Sequence, residues 1–306
     1  MAKPLRIGSM IDVDKPLPET VALLERYREA GLDHAFASQI FGPDALTLLA
    51  VAGSQVPGIG LGTGVVPVYP RHPMMLAQQA LTVQAATGNR LLLGIGLSHQ
   101  VVVEGIWGMS YERPAAYMKE YLASLMPLLH GETVHVDGER VSTNAFAPLE
   151  IANVEPPPVL VAALGDTMLK LTGRVADGTI TWMTGTSTIG GHIAPTITAA
   201  AEAAGRPAPR IVVSLPIAVT ADRDAAKERM NEAFAIYPNL PAYKAMLDKE
   251  GAAAAADIGF IGDEEAVTAS ISRLADAGAT DFVAAIVGDA EERARGLALI
   301  SEIARS

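Results

Sequence analysis

The stretch from Gly58 to Pro114 constrains the fold more than any other part of the chain, because two apolar runs flank a helical pattern there. Ile59–Val66 and Leu91–Ile95 are too short to span a membrane and too uniformly apolar for half-exposed strands, which is typical of strands buried on both faces. Met74–Ala86 lies between them with the apolar spacing of a helix. A strand, a helix and a strand in this order predict a parallel crossover unit.

The same alternation of apolar runs and helical patterns continues through the rest of the chain. Strands are predicted at Leu5–Met10, His34–Ser38, Ile59–Val66, Leu91–Ile95, Val159–Ala163, Thr179–Met183, Arg210–Val219 and Asp281–Val287. Each is paired with a helical stretch, and eight such units in about 300 residues predict an α/β fold of the (β/α)8 TIM-barrel type with insertions. An open doubly wound sheet is the alternative. It is disfavoured because Gly60, Gly62 and Gly64 alternate at every second residue and form no GxGxxG fingerprint.

Two segments depart from this alternation within what is otherwise predicted to be one domain, residues 1–306. Near residues 132–146 the chain alternates apolar and polar residues around Asp137-Gly138, a dipeptide that favours a type I′ turn. We therefore predict a hairpin insertion there. The helical pattern of Asp224–Ala256 is broken around Pro238 and Pro241, which predicts a mobile helical segment near residues 234–256.

The composition excludes several classes of protein. Cysteine is absent, so disulfides and thiolate metal sites are excluded. The formal net charge is -11 and no large basic cluster is present, which argues against nucleic acid and anionic membranes as partners. No twenty-residue apolar span and no signal peptide pattern are visible, so we expect a cytoplasmic protein. The six histidines are scattered, and we expect no metal site.

In a barrel of this kind the chemistry lies at the carboxyl ends of the strands, which here means Gly64-Val65 and Ser98-His99. Glycines at alternate positions before Val65 leave room either for a bulky group or for tight barrel packing. His99 could exchange a proton near neutral pH or make a structural hydrogen bond. Trp182 could line a pocket or belong to the core.

The turn Ala163-Leu164-Gly165 leads from a predicted strand into a helix, whose free N–H groups would suit a phosphate. Alternatively, Asp166 caps its own helix. Few carboxylates stand at strand ends, so the site offers mainly backbone groups, hydroxyls and apolar walls. Such a pocket suits a flat cofactor that carries the chemistry itself.

Four segments carry a resemblance to a known family: LGTGVVPVYPRHPMMLAQQALTVQAATGNRLLLGIGLSH, WGMSYERPAAYMKEYL, LLHGETVHVDGERV and VLVAALGDTMLKLTGRVADGTITWMTG. Together they resemble the luciferase-like monooxygenase superfamily, and within it the branch of oxidoreductases that use the deazaflavin coenzyme F420. The resemblance implies a (β/α)8 barrel, commonly a homodimer, with the cofactor ring at the carboxyl ends of the strands. Flavin-using relatives share much of this pattern, so FMN is the alternative cofactor.

The resemblance also implies roles for particular residues. A cis peptide at Gly64-Val65 would lie against the cofactor ring. The implied cofactor contacts are Ser38, Gln39, Thr63, Gly64, Val65, Ser98, His99, Ala163, Leu164, Gly165, Trp182 and Met183. We further predict that an apolar substrate pocket, suited to a small uncharged organic compound, is lined by Ile40, Trp107 and Met109.

The chain departs from its alcohol-oxidising relatives at two places. They often have Asp-His where this chain has Gln39-Ile40, and Glu where it has His99. The acid–base pair for alcohol oxidation is therefore missing. We predict instead that hydride passes from the reduced deazaflavin to an activated C=C or C=N bond, with His99 as proton donor; water or the hydroxyl of Ser98 or Tyr111 could replace it. The alternatives are an FMNH2-dependent monooxygenase and a cofactor-binding protein without turnover.

Overall fold

The structure is a computed structural model that describes residues 5–306, so the first four residues of the predicted domain lie outside it. Its strands are β1 (Arg6–Met10), β2 (His34–Ala37), β3 (Gly60–Thr63), β4 (Val66–Pro67), β5 (Leu91–Gly96), β6 (Val134–Asp137), β7 (Ser142–Ala145), β8 (Val159–Val161), β9 (Gly178–Trp182), β10 (Arg210–Val219), β11 (Phe260–Gly262) and β12 (Asp281–Ile286).

The helices surround these strands. They are α1 (Leu17–Glu29), α2 (Ala45–Gln55), α3 (Pro73–Thr87), α4 (Gln100–Gly105), α5 (Pro114–Leu129), α6 (Asp166–Val175), α7 (Thr186–Thr188), α8 (Ala194–Ala203), α9 (Arg223–Ala233), α10 (Pro241–Glu250), α11 (Ala255–Ile258), α12 (Glu264–Asp276) and α13 (Ala290–Arg305). A π-type turn, Ile189–Ile193, joins α7 to α8, and a 3₁₀ turn, Tyr237–Asn239, precedes α10. None of the helices within residues 5–306 combines the length and the apolar character needed to cross a bilayer.

Eight parallel strands close into a barrel in the order β1, β2, β3, β5, β8, β9, β10 and β12. The ring closes where β12 pairs with β1, with Asp281 opposite Arg6. The short strand β4 pairs with β5, and β11 pairs with the second half of β10. The predicted TIM barrel is therefore confirmed, and its eight main strands are the eight apolar runs of the sequence.

Six side chains fill the centre of the barrel: Phe36, Leu92, Leu160, Ile180, Val212 and Val283. The glycines of β3 belong to this packing, because a Cβ added at Gly62 would overlap the ring of Phe36. Tight barrel packing, one of the two interpretations that the sequence left open, thus explains Gly62. At Gly64 the nearest atom to an added Cβ is Ile180 Cδ1 at 3.4 Å, so the end of the strand is less crowded.

The predicted continuous strand Ile59–Val66 is wrong in one respect, because it is interrupted after Thr63 and resumes as β4. The strand β11 and the short helix α4 were also missed. β11 has only three residues between two helices, which is too short a run for apolar periodicity to reveal.

β6 and β7 form an antiparallel hairpin, with Asp137 opposite Ser142. The predicted two-residue type I′ turn at Asp137-Gly138 is wrong, because residues 138–141 form a longer loop. The Glu120 carboxylate on α5 explains this difference: it accepts hydrogen bonds from the backbone N–H groups of Arg140 (2.8 Å) and Val141 (2.9 Å). This contact with α5 overrides the local turn preference of Asp-Gly.

The amino end of the barrel is closed by an ionic network of four residues, each the first of its strand: Arg6, His34, Arg210 and Asp281. Asp281 is 1% exposed and accepts hydrogen bonds from Arg6 Nε (2.8 Å) and Arg210 Nε (3.0 Å). Burial alone would raise the pKa of Asp281, but the two guanidinium groups lower it to about 2. Burial, and then the charge of Arg210, lower the pKa of His34 to about 4, so its imidazole is neutral near pH 7.

Candidate active site

The peptide bond between Gly64 and Val65 is cis, as the resemblance implied, and it lies at the carboxyl end of β3. The N–H of Gly64 donates to the carbonyl oxygen of Ala37 (2.9 Å), which ties this point to the end of β2. The half-buried Val65 side chain packs on the six residues that fill the barrel centre. A Cβ added at Gly96 would lie 2.7 Å from Val65 Cγ2. Val65 therefore forms the floor of the barrel mouth, and Gly96 leaves the space that it needs.

Gln39 follows β2 and is held in one orientation. Its Oε1 accepts hydrogen bonds from the Ala45 N–H (3.1 Å) and from Arg71 Nη2 (3.1 Å). Because both partners are donors, the amide oxygen must face them, and Nε2 is the end that remains. Arg71 is fixed in turn by an ion pair with Asp44. Gln39 therefore presents a hydrogen-bond donor where an aspartate would present a base. Its neighbour Ser38 is half-buried.

Ser98 and His99 follow β5. Ser98 has φ +62°, and its carbonyl oxygen accepts a long hydrogen bond from the Tyr111 hydroxyl (3.4 Å). The His99 ring is half-buried and makes no hydrogen bond to any residue in the part of the chain that the structure describes. Burial lowers the pKa of His99, so the ring is neutral at pH 7. A neutral imidazole can donate one N–H and accept at the other nitrogen, but it supplies no imidazolium proton.

Leu164 and Gly165 precede α6, and no side chain caps this helix. The alternative in which Asp166 caps its own helix is therefore wrong; Asp166 Oδ1 lies 3.6 Å from His192 Nδ1 instead. The other ring nitrogen of His192, Nε2, donates to the Leu164 carbonyl oxygen (2.8 Å). No atom lies within 4 Å of a Cβ added at Gly165. The N-terminus of α6 thus has no side-chain cap and has open space beside Gly165, which suits an anionic group such as a phosphate.

Trp182 ends β9 and is in contact with the segment that follows β10. Its ring meets Phe234 edge-on, with centroids 5.4 Å apart, and Tyr237 with centroids 5.9 Å apart. Tyr237 meets Tyr243 at 5.0 Å, and Tyr243 lies 5.7 Å from the ring of His99. The indole nitrogen of Trp182 is buried without a partner at ordinary hydrogen-bond geometry. It lies close enough to the Tyr237 hydroxyl to offset part of the rise that burial causes in the pKa of Tyr237.

Three of the predicted cofactor contacts have buried side chains. Thr63 donates from Oγ1 to the Gly94 carbonyl oxygen (2.7 Å), while Ala163 and Met183 are 0% and 1% exposed. In this structure these three residues are sealed from solvent. Their roles stay predictions, as do those of the other residues that the resemblance implied.

The substrate pocket lined by Ile40, Trp107 and Met109 stays a prediction. Ile40 is 66% exposed and Trp107 is half-buried. Met109 lines a side cleft of about 410 Å³ together with Tyr69, Arg71, Tyr117 and Arg140, beside the hairpin. Within residues 5–306 the structure brings no three histidine or carboxylate side chains into a metal-binding arrangement.

Sequence reasoning missed four residues of this region: His192, Tyr237, Tyr243 and Glu250. Tyr237 and Tyr243 flank the prolines that had drawn attention to their segment, so aromatic residues within a broken helix were an available signal. His192 and Glu250 act through contacts with residues far away in the chain, and no local pattern marks them.

Comparison with known proteins identifies the family. A sequence profile of the family described as luciferase-like monooxygenase matches residues 2–304. The chain is 36% identical over 108 residues to a Mycobacterium tuberculosis protein assigned, by its name alone, as a coenzyme F420-dependent oxidoreductase; this covers 35% of the chain and 31% of that protein. It is 28% identical over 203 residues to 5,10-methylenetetrahydromethanopterin reductase of Methanolobus tindarius, covering 66% of the chain and 61% of the reductase. Both alignments span less than two thirds of the relative.

Solved structures extend the similarity over the whole chain. The coenzyme F420-dependent tetrahydromethanopterin reductase from Methanopyrus kandleri superposes with a TM-score of 0.83 at 19% identity, covering 98% of both chains. The oxygenating constituent of 3,6-diketocamphane monooxygenase from Pseudomonas putida, in complex with FMN, superposes with a TM-score of 0.76 at 17% identity, covering 99% of both chains. At such identities these two structures show a common fold.

The chain belongs to the luciferase-like monooxygenase family, since the family profile matches nearly all of it. Its relatives and structural neighbours carry the names of enzymes, among them F420-dependent oxidoreductases and monooxygenases. The predictions of the family and of an enzyme are therefore confirmed.

Proposed function

We propose that this enzyme transfers a hydride from reduced coenzyme F420 to an activated C=C or C=N bond of a small organic substrate. The observation that carries the proposal is the polarity of the barrel mouth. Gln39 offers an N–H donor, and His99 offers a neutral ring, in the positions where alcohol-oxidising relatives often have acids or bases. Donors bind and polarise a carbonyl or imine. Removal of a proton from an alcohol requires a base, which the Gln39 amide is not, and the lowered pKa of His99 makes its ring a weaker base than an ordinary histidine.

The residues at the mouth fit a flat cofactor with an anionic side chain. Val65, which packs on the side chains that fill the barrel centre, offers a floor for a ring system. The uncapped N-terminus of α6, with open space beside Gly165, suits the phosphate of the side chain. When bound, reduced F420 supplies a hydride to the substrate. The residues of the mouth would hold the substrate next to the bound cofactor.

Addition of a hydride to the C=C bond of an enone must be completed by a proton on the neighbouring carbon. Because His99 is neutral at pH 7, we now propose it as a hydrogen-bond partner of the substrate rather than as an imidazolium acid. The proton then comes from water or from a hydroxyl at the mouth, and the product carries one added hydride and one added proton.

The test is a fluorescence quenching titration with oxidised F420, run beside FMN on the same protein. Tight F420 binding with weak FMN binding, followed by oxidation of reduced F420 on addition of cyclohexenone, would support the proposal. Tight FMN binding with oxygen consumption would instead support a two-component monooxygenase, which the FMN-bound structural neighbour favours. Tight binding of either cofactor without turnover would support a cofactor-binding protein that is not an enzyme.

A matched pair of variants tests the phosphate position. Gly165→Glu places a carboxylate at the N-terminus of α6, whereas Gly165→Gln adds nearly the same volume without charge. We expect Gly165→Glu to weaken cofactor binding at least tenfold relative to Gly165→Gln. Equal affinities of the two variants would remove the phosphate from this place.

We also propose that the protein is a cytoplasmic homodimer acting on a small molecule. Exposed apolar side chains on the adjacent helices α2 and α3, namely Val51 (42%) and Met75 (53%), support a subunit contact on this face. Sedimentation equilibrium of the wild type and of Met75→Glu tests it: a dimer that the variant splits is expected, and a monomeric wild type would exclude it.

A further inference from the structure

The segment from Phe234 to Glu250 follows α9 and lies across the carboxyl end of the barrel, where its rings approach Trp182 and His99. Four ring contacts join three of its residues to Trp182, and we call these four side chains the aromatic arch: Trp182, Phe234, Tyr237 and Tyr243. One end of the arch rests on Trp182 after β9, and the other reaches His99 after β5. Because β8 lies between β5 and β9 in the barrel, the arch spans the end of β8.

The arch is anchored by Glu250, the last residue of α10. Its carboxylate accepts hydrogen bonds from the N–H of Ser187 (3.0 Å), the N–H of Thr188 (2.7 Å) and the Thr188 hydroxyl (2.6 Å). These donors belong to α7, which follows β9 directly. A Cβ added at Gly185 would overlap Glu250, so this glycine makes the close approach feasible.

The surface that the arch presents is uncharged. Lys244, next to Tyr243 in the chain, is 63% exposed and pairs with Asp248 at 2.7 Å, so its charge lies on the outer side of α10. The charge of Glu250 is bound to α7. Burial raises the pKa of Tyr243 and lowers that of His99, so both side chains are neutral near pH 7.

Two polar groups on this surface are available to a ligand. In the part of the chain that the structure describes, neither the Tyr243 hydroxyl nor the His99 ring nitrogens have a hydrogen-bond partner, and both residues are half-buried. Their rings lie 5.7 Å apart at an angle of 56°. A hydroxyl and a neutral imidazole at this spacing can converge on one acceptor atom of a bound molecule.

We propose that the aromatic arch is the substrate-binding wall of the active site, that it selects flat, uncharged, conjugated molecules, and that Tyr243 donates a hydrogen bond to their carbonyl or imine acceptor. Flat rings stack on Trp and Tyr side chains, and a charged ligand would lose its hydration on this surface without gaining a counter-charge. This inference rests on the proposed function for its substrate, but the binding wall can be tested without turnover.

The test uses Trp182 as a reporter. The chain has two tryptophans, so Trp107→Phe leaves Trp182 alone; the wild type is titrated beside it, because Trp107 is itself a predicted pocket residue. In this background, acetophenone is titrated against tryptophan fluorescence, with benzoate as the charged molecule of nearly the same shape. We expect saturable quenching by acetophenone and at least tenfold weaker binding of benzoate. Equal or tighter binding of benzoate would overturn the proposal.

The Tyr243→Phe variant then tests the hydroxyl. It keeps the ring and should weaken acetophenone binding about fivefold to tenfold, which is the loss of one hydrogen bond. The affinity for the cofactor should stay within twofold. Tyr117→Phe, a half-buried tyrosine stacked on Tyr69 beside the hairpin, is the matched control and should change neither affinity. If Tyr243→Phe weakens only cofactor binding, the arch covers the cofactor and the proposal fails.

The binding results and the reaction results separate the two proposals. If acetophenone binds as expected but cyclohexenone does not oxidise reduced F420, the result supports the binding wall and contradicts the proposed reaction. Should enones be reduced with the same kcat and KM by the wild type and by Tyr243→Phe, the reaction stands and the role of Tyr243 fails.

Discussion

The two ends of the barrel use polar groups in opposite ways. At the amino end, Asp281 is bound by Arg6 and Arg210, and His34 contacts Arg210, so each charge faces a partner. At the carboxyl end, His99 and Tyr243 have no partner among the described residues. Paired polar groups at one end stabilise the fold, whereas unpaired groups at the other end remain available to a ligand. We therefore expect substitutions at the amino end to change mainly the stability of the protein, and substitutions at the carboxyl end to change mainly ligand binding.

The largest effect is expected from Asp281→Ala at the amino end. This variant leaves Arg6 and Arg210 partly buried without their anion, so the free energy of unfolding should fall by about 3–5 kcal/mol. Urea denaturation measures it. Glu264→Ala, which breaks the exposed pair with Arg295, is the control and should leave the free energy of unfolding nearly unchanged. Cofactor affinity of the folded Asp281→Ala protein should be unchanged; a loss of affinity comparable with the loss of stability would break the comparison.

The second-largest effect is expected from acid, which should lower the free energy of unfolding through the amino end of the barrel. The pKa of His34 is about 4 in the folded protein, and its ordinary value is 6.5, so the unfolded chain binds this proton first. The stability due to neutral His34 is therefore complete above pH 6.5 and is lost as the pH falls toward 4, by about 3 kcal/mol. Urea titrations at pH 7, 5.5 and 4 measure the loss. His34→Gln should flatten the dependence between pH 6.5 and 4, and an unchanged slope in that variant would assign the acid sensitivity elsewhere.

At the carboxyl end, Gly96→Ala should damage binding more than folding. Its Cβ would lie 2.7 Å from Val65 Cγ2, so the floor of the mouth must move. We expect cofactor affinity to fall at least tenfold, while stability falls by about 1–3 kcal/mol. Quenching titration and urea denaturation of the same preparation give both numbers. Full affinity in this variant would show that Val65 does not contact the cofactor.

The smallest change in stability is expected from Glu250→Gln, which weakens the anchor of the aromatic arch. A neutral amide replaces a carboxylate at the start of α7, so about 1 kcal/mol should be lost. Limited proteolysis within residues 234–256 should become faster in the variant, and bound cofactor should slow it in the wild type. Equal cleavage of the wild type with and without cofactor would count against a mobile segment.

The strands and the class of fold could be predicted because parallel barrel strands are buried on both faces and therefore appear in the sequence as short, uniformly apolar runs. The alternation of apolar and polar residues predicted the hairpin. It did not predict the turn, because Glu120 on α5 holds the backbone at Arg140 and Val141. The glycines before Val65 carried two interpretations, and only the ring of Phe36 beside Gly62 decides between them.

The candidate site also has features that the sequence predicted and features that it did not. The positions after strands, such as Gln39, His99 and Gly165, were predictable because a barrel gathers strand ends at one edge. What each group offers was not predictable. Gln39 is a donor only because Ala45 and Arg71 occupy its oxygen, and burial lowers the pKa of His99 and so favours its neutral form.

By itself, the sequence determined the barrel, its eight strands, the family and the edge at which the chemistry lies, since these depend on periodicity and local motifs. Only the tertiary structure decided which polar groups are paired at the amino end and which stay free at the carboxyl end. The pairing of Arg6 with Asp281 and the approach of Tyr243 to His99 join residues far apart in the chain. Such contacts leave no local pattern, because hydrogen bonds and ring packing depend on distance in space rather than on spacing in the sequence.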